Sequence, residues 1–104
     1  MTTAKFNYQN GQYNSFEIKG HADYAEYGYD IVCSGITTAV FTTLGVIRIL
    51  LKENEYSYEE LDGVIRFESL VDNQLVSDVI LNLYNVLDNI QRQYPKNLKI
   101  KIAK

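Results

Sequence analysis

The fold class follows first from the stretch LVSDVILNLYNVLDNI, residues 75–90 of this 104-residue chain. Apolar side chains recur along it at spacings of three and four residues, which is the period of an α-helix with one apolar face. These side chains are Leu75, Val76, Val79, Ile80, Leu83, Val86, Leu87 and Ile90. Tyr94-Pro95 ends the pattern, because proline cannot continue a helix. The stretch therefore predicts an amphipathic helix.

A second helix is predicted from about Ile31 to Lys52. No charge occurs between Ile31 and Ile47, and Arg48 ends the uncharged run. A membrane-spanning helix needs about 20 predominantly apolar residues, whereas this shorter run contains serine, threonines and two glycines. We interpret it as a helix buried in the core, so no membrane contact is expected. Asp30 is its predicted N-cap, because a carboxylate there can accept hydrogen bonds from free N–H groups.

Alternating apolar and polar residues predict five β-strands around these helices. The predicted strands are residues 4–9, 12–20, 56–61, 64–70 and 98–102. Asn10-Gly11 and Asp62-Gly63 are two-residue turn signals, so each joins two strands into a hairpin. The order ββαββαβ predicts an α+β fold, a two-layer α/β sandwich in which both helices pack on one face of a mostly antiparallel sheet.

The composition is that of one globular domain, taken as residues 1–104. Hydrophobic residues make up 46% of the chain and charged residues 22%. The net charge of −3 argues against direct nucleic-acid binding, which depends on clustered Lys and Arg. A single cysteine cannot form an internal disulfide, and the N-terminal residues show no secretory signal pattern. A reducing, cytoplasmic location is therefore expected.

The reactive side chains are concentrated in one short segment. The single histidine and the single cysteine stand twelve positions apart in Gly20-His21-Ala22, five residues, Gly28-Tyr29-Asp30-Ile31-Val32-Cys33. Cys33 falls in the first turn of the predicted helix, where free N–H groups and the helix dipole favour a thiolate and could hold an oxyanion. A neutral imidazole beside a thiol is the usual base for forming a thiolate. The pair predicts a nucleophilic cysteine with His21 as base, although each residue alone is more often a small buried side chain or a surface histidine.

Two neighbouring residues have two interpretations each. Asp30 either caps the helix or orients His21 as the third member of a triad. Thr37 lies one helical turn beyond Cys33 on the same face. Its hydroxyl either bonds to Asp30 or to a substrate, or bonds a backbone carbonyl one turn back.

The segment from His21 to Tyr29 has no apolar period and is predicted to be a loop. Gly20 and Gly28 bracket it, either as hinges or as ordinary turn residues. Three aromatic residues in it could line a groove for an aromatic or apolar peptide, or be ordinary half-buried tyrosines. They are Tyr24, Tyr27 and Tyr29. A zinc site would need carboxylates of this segment to complete three or four ligands, so no metal or cofactor is expected.

The run from Gly20-His21-Ala22 to Cys33 resembles the signature of the ribosomal-processing cysteine protease family, Prp. The chain length, the order of strands and helices, and Tyr94-Pro95 before a short last strand are also similar to that family. The resemblance thus covers nearly the whole chain. The family commonly has two alanines after the cysteine and a serine two positions further on. The residues that stand there in this chain are Ser34, Gly35 and Thr37.

The resemblance implies a homodimeric α/β sandwich that acts on a ribosomal protein precursor. Its substrate would be large-subunit ribosomal protein twenty-seven, from which it would remove a short N-terminal extension by cutting after an aromatic pair. His21 would be the base, Cys33 the nucleophile and Asp30 a support for the pair. Gly20 would be the hinge of a mobile loop, and Thr37 would keep a hydroxyl where the family has serine.

Two other functions compete with a protease. The chain could be a dimeric module that binds a ribosomal protein or an assembly intermediate without cutting it. Such a module would keep the peptide groove but would need no reactive thiol. A redox-sensing cysteine is the third interpretation, although the chain has no second cysteine to resolve an oxidised thiol.

Overall fold

A computed structural model describes residues 1–20 and 29–104, and it confirms the predicted α+β sandwich. The elements are β1 (Thr2–Gln9), β2 (Gln12–Lys19), α1 (Tyr29–Leu50), β3 (Tyr56–Leu61), β4 (Val64–Ser69), α2 (Gln74–Gln93) and β5 (Leu98–Ala103). The strands form one sheet in the order β3-β4-β2-β1-β5. Every pairing within it is antiparallel except that of β1 with β5, which is parallel.

Both predicted hairpins are confirmed. Asn10 and Gly11 adopt positive φ angles of 54° and 78°, as a tight turn between twisted strands requires. Gly63 has a φ of 75° in the turn between β3 and β4. A bulge in the β1–β2 pairing lies beside Asn7 and Tyr8. It increases the local twist of the sheet.

The core lies between the helices and one face of the sheet. Alternate strand residues point into it, and both helices contribute a buried stripe at helical spacing. The buried apolar residues include Ala4, Phe6, Phe16, Ile18, Phe67 and Leu98 from the sheet, Val32, Ile36, Val40, Leu44 and Ile47 from α1, and Val76, Ile80, Leu83 and Leu87 from α2. Burying each of the larger side chains contributes about 1.5–3 kcal/mol. This shared core holds both helices on the same face, as predicted.

Several predicted element ends are wrong by one or two residues; β2, β4 and β5 each end one residue away from the prediction. Helix α1 begins at Tyr29, so Tyr29 is not part of the loop and Asp30 is not the N-cap. An acidic residue is favourable anywhere in the first turn, because it meets the positive end of the helix dipole; it therefore marks a helix start without fixing the cap. The same helix ends at Leu50 rather than Lys52, whose backbone is extended and whose N–H donates to Glu55 Oε1 at 2.7 Å.

Strand β1 begins at Thr2, two residues before its predicted start. Thr2 lies opposite Leu98 in the parallel pairing with β5. Its N–H donates to the Asn97 carbonyl oxygen at 2.9 Å. These partners come from the far end of the chain, so the local pattern at residues 1–4 gave no sign of them.

Within the described residues, one helical segment, Ile31–Leu50, is long and apolar enough to cross a membrane by length and composition. One face of this segment packs inside the fold, where Val40 and Ile47 are fully buried. That placement agrees with the prediction of a core helix. Its opposite face carries exposed apolar side chains, of which Ile49 is 84% exposed and Ile31 is 58% exposed.

Candidate active site

Cys33 is the fifth residue of α1 and is half-buried. The prediction placed it in the first helical turn; because the helix begins at Tyr29, Cys33 instead opens the second turn. Within α1, the N–H groups of residues 29–31 are free, since the first four N–H groups of an α-helix, counted from its N-cap, have no intrahelical partner. The donors available to an oxyanion are thus those of the turn before the cysteine.

A cleft of about 520 Å³ opens beside Cys33. One wall is the face of α1 that carries Cys33, Thr37 and Phe41, which recur every four residues and therefore lie above one another. The opposite wall is the hairpin of β3 and β4, from Glu60 to Ile65. The floor includes Ile18, at the end of β2. A thiol, a hydroxyl and an aromatic ring thus line one side of the cleft.

Gly20 stands at the end of this cleft, where β2 leads into the segment that contains His21. Its N–H donates to the Gly63 carbonyl oxygen at 3.0 Å, which ties the end of β2 to the hairpin wall. A Cβ at this position would come 2.8 Å from the Thr2 Cα. Only glycine fits there without a shift of the backbone. Close packing against β1 thus requires glycine at position 20, and this reason is independent of the predicted hinge role.

The hairpin wall presents a carboxylate in a fixed orientation. Tyr58 Oη donates a hydrogen bond of 2.6 Å to Glu60 Oε1. The Arg48 guanidinium lies 5.3 Å from the centroid of the Tyr58 ring, a cation–π contact that holds the ring against α1. Burial and the hydrogen bond to Glu60 raise the pKa of Tyr58 to about 12. The phenol therefore stays protonated at neutral pH and keeps donating to Glu60.

A second concavity of about 580 Å³ lies on the open face of the sheet, away from the cysteine. Its centre is the ion-pair network in which Arg66 binds Glu17 at 2.7 Å and Glu59 at 2.8 Å. The hydrogen bonds that Arg66 donates, first the one to Glu17 and then the one to Glu59, raise the pKa of its guanidinium. No thiol or imidazole lines this concavity in the described part of the chain, so the cleft at Cys33 is the candidate active site. Over residues 1–20 and 29–104, no group of three His, Cys, Asp or Glu side chains could hold a metal ion.

The structure brings three of the predicted site residues together, since Cys33, Thr37 and Gly20 all line the cleft. Tyr29 and Asp30 lie in the first turn of α1. Four further predicted residues lie outside the described residues, and their roles stay predictions. They are His21, Tyr24, Tyr27 and Gly28.

Sequence reasoning missed the hairpin wall and Phe41. The Asp62-Gly63 turn signal identified the hairpin itself, but its position beside the cysteine depends on the pairing of β2 with β4, in which Lys19 lies opposite Val64. Phe41 could have been found from its spacing, because it lies eight residues, about two helical turns, beyond Cys33.

Known proteins are similar to this chain over most of its length. The family model described as "Cysteine protease Prp" matches residues 1–99. The ribosomal processing cysteine protease Prp of Bacillus subtilis is 32% identical over 101 residues, which covers 83% of this chain and 82% of that protein. The protein of the same name from Staphylococcus aureus is 30% identical over 92 residues, which covers 86% of this chain and 87% of that protein.

Solved structures extend the likeness to the backbone. The crystal structure of an essential ribosomal processing protease Prp from S. aureus in complex with a substrate peptide has a TM-score of 0.86 at 26% identity, covering 98% of this chain and 99% of that one. The same protease with a covalently linked product peptide has a TM-score of 0.82 at 27% identity and the same coverage.

Proposed function

We propose, since this chain belongs to the cysteine protease family Prp, that it is an endopeptidase that processes a ribosomal protein. Membership of the family makes it a cysteine-type peptidase. The observation that carries the proposal is the position of Cys33, which is half-buried near the start of α1 and lines the cleft between α1 and the β3–β4 hairpin.

In the proposed reaction, Cys33 is the nucleophile and His21 is its base. His21 takes the thiol proton, and the thiolate forms a bond to the carbonyl carbon of the scissile peptide. Free N–H groups of the first turn of α1 stabilise the oxyanion that results. Asp30, in that same turn, supports the imidazolium. The carbonyl re-forms as the C–N bond breaks, and His21 returns its proton to the leaving amine.

The second half of the reaction consumes water. His21 takes a proton from a water molecule, whose oxygen attacks the thioester carbonyl. The C–S bond breaks, the Cys33 thiol is restored, and the peptide leaves with a new carboxylate. No group beyond the two side chains and water is needed to balance these steps.

The shape of the cleft supports an apolar, aromatic substrate segment. Ile36 and Phe41 on α1 and Leu61 and Val64 on the hairpin give both walls apolar surface. We propose that they accept the aromatic pair that precedes the cut, and that Tyr24 and Tyr27 line the same groove. The substrate we propose is the precursor of large-subunit ribosomal protein twenty-seven, from which the N-terminal extension is removed.

We also propose a cytoplasmic homodimer. The outer face of α1 carries Ile31, Val46 and Ile49 in exposed positions, and the helix has no charge between Ile31 and Ile47. An exposed apolar surface of this kind favours association with a partner, here a second copy. Light scattering should report a dimer that Ile49→Glu dissociates; a wild-type monomer would contradict this assembly. Cell fractionation tests the location, and recovery with membranes would contradict it.

Kinetics on a quenched fluorescent peptide that spans the extension test the catalytic pair. Cys33→Ala should abolish turnover, and His21→Ala should lower it by a factor of about 100 or more. Ser34→Ala is the matched control, because Ser34 is an exposed neighbour of the cysteine that does not line the cleft; it should cleave at the wild-type rate. Turnover that persists in both Cys33→Ala and His21→Ala would refute the proposed mechanism.

A further inference from the structure

We propose that Glu60 is a specificity-determining residue of the cleft, and that it selects peptides with a lysine or arginine side chain close to the scissile bond. The inference rests on the proposed function, because it names a substrate feature for the same cleft. It starts from the charges of the lining. Among the described residues that line the cleft, Glu60 and Asp62 carry charge, and both are negative.

The placement of Glu60 directs its carboxylate toward the cleft. Along β3, successive side chains alternate between the two faces of the sheet. Glu60 lies opposite Ile65 and shares its face with Tyr58, which packs against the core. This is the side on which α1 and Cys33 lie. Because Tyr58 Oη holds Glu60 Oε1 at 2.6 Å, the carboxylate is positioned before any ligand arrives, and no described residue donates a hydrogen bond to its second oxygen.

Comparison with the adjacent residue shows why Glu60 favours a cation from outside the chain. Glu59 points to the open face and is neutralised by Arg66, 2.8 Å away. Glu60 forms no ion pair with any described Lys or Arg, and its hydrogen-bond partner is the neutral Tyr58 phenol. Arg48 lies over the Tyr58 ring rather than at ion-pair distance from Glu60. The cleft therefore holds a preorganised negative charge that has no counterion among residues 1–20 and 29–104.

The neighbouring surface matches the rest of a basic side chain. Leu61 and Val64 line the cleft beside Glu60. Lys and Arg side chains cover apolar surface with their methylene stems while the cationic end reaches a polar partner. A carboxylate at the edge of an apolar groove thus fits a peptide in which a basic residue flanks an apolar segment. An acidic residue at that place in the peptide would meet repulsion.

The test separates this inference from catalysis by measuring both binding and cleavage. The test uses pairs of peptides that span the proposed cleavage site. Within a pair, one peptide carries lysine and the other norleucine at the same position, and successive pairs place this substitution at successive positions. Binding is measured by fluorescence anisotropy on Cys33→Ala protein, and kcat/KM on protein with the cysteine intact. At one position near the scissile bond, lysine should be preferred about tenfold in both measurements, the scale of a hydrogen bond to a charged group.

Three variants decide the origin of that preference. Glu60→Gln should abolish it, and Glu60→Lys should reverse it in favour of a glutamate-substituted peptide. Glu59→Gln removes the same charge from the next residue on the opposite face, so it should keep the tenfold preference. Equal preference in wild type and Glu60→Gln would overturn the inference, as would equal losses in Glu59→Gln and Glu60→Gln. If Cys33→Ala shows the Glu60-dependent preference in binding but the intact protein cuts no peptide, the proposed function fails while the inference stands.

Discussion

Replacing Gly20 with alanine tests how the end of β2 is anchored beside the active site. A Cβ built at Gly20 would lie 2.8 Å from the Thr2 Cα, 2.9 Å from Thr2 Oγ1 and 3.0 Å from the Met1 carbonyl oxygen. Thr2 cannot move away freely, because it is buried and its N–H donates to the Asn97 carbonyl oxygen at 2.9 Å. The added methyl must therefore displace backbone, and the hydrogen bond from Gly20 to Gly63 is strained with it.

Overpacking of this kind costs about 1–3 kcal/mol. For a domain of this size, each kcal/mol lowers the melting temperature by about 4–8 °C. Gly20→Ala should thus melt roughly 5–20 °C below wild type. Gly35→Ala is the matched control, because its Cβ would lie 3.7 Å from Ile90 Cδ1, an ordinary contact. In the interior of α1, that exchange should stabilise the protein by about 1 kcal/mol.

Thermal and urea unfolding followed by circular dichroism measure both variants against wild type. The two substitutions add the same methyl group but should change the stability in opposite directions. This difference separates local crowding from a general effect of alanine. A Gly20→Ala protein as stable as wild type would refute the crowding argument. A loss of activity without a loss of stability would instead favour the predicted hinge role of Gly20.

Three other predictions concern the fold around the site. Ser77→Ala should cost about 1–3 kcal/mol in urea unfolding, because buried Ser77 Oγ accepts the Tyr13 N–H at 3.0 Å; an unchanged midpoint would contradict this. Asn73→Ala should cost about 1 kcal/mol, since Asn73 Oδ1 caps α2 by accepting the Val76 N–H, whereas Asn73→Ser should retain most of the stability. Folding raises the Tyr58 pKa from 10.0 to about 12, so the folded state holds that proton more tightly than the unfolded chain. Wild type should therefore lose stability relative to Tyr58→Phe as the pH rises from 10 to 12; parallel stability curves would show that the shift is absent.

Local chemistry made most of the fold predictable. The Asn10-Gly11 and Asp62-Gly63 signals depend on conformations that neighbouring residues determine, and both hairpins are present. The apolar period of residues 75–90 lies within α2 (Gln74–Gln93). The order of strands in the sheet could not be read in the same way. The parallel pairing of β1 with β5 and the pairing of β2 with β4 join distant segments, and alternation alone does not specify which strands become neighbours.

The candidate site, like the fold, was predictable where it depends on local sequence and was not predictable where it depends on long-range contacts. Cys33 and Thr37 were predicted from their places on one helix, and both line the cleft. The hairpin wall was missed because its place beside the cysteine depends on long-range contacts, which are the pairing of β2 with β4 and the hydrogen bond from Gly20 to Gly63. Whether His21 acts as the base stays a prediction, since it depends on a segment outside the described residues.

The central claim, that this chain is a peptidase whose nucleophile is Cys33, is tested most directly by mass spectrometry of the ribosomal protein precursor after incubation. The samples are wild type, Cys33→Ala and the neighbouring control Ser34→Ala. The account predicts one new N-terminus, produced by a cut after an aromatic pair, with wild type and Ser34→Ala, and intact precursor with Cys33→Ala. Precursor that binds wild type and Cys33→Ala alike but stays uncut by both would contradict the account and favour a binding module.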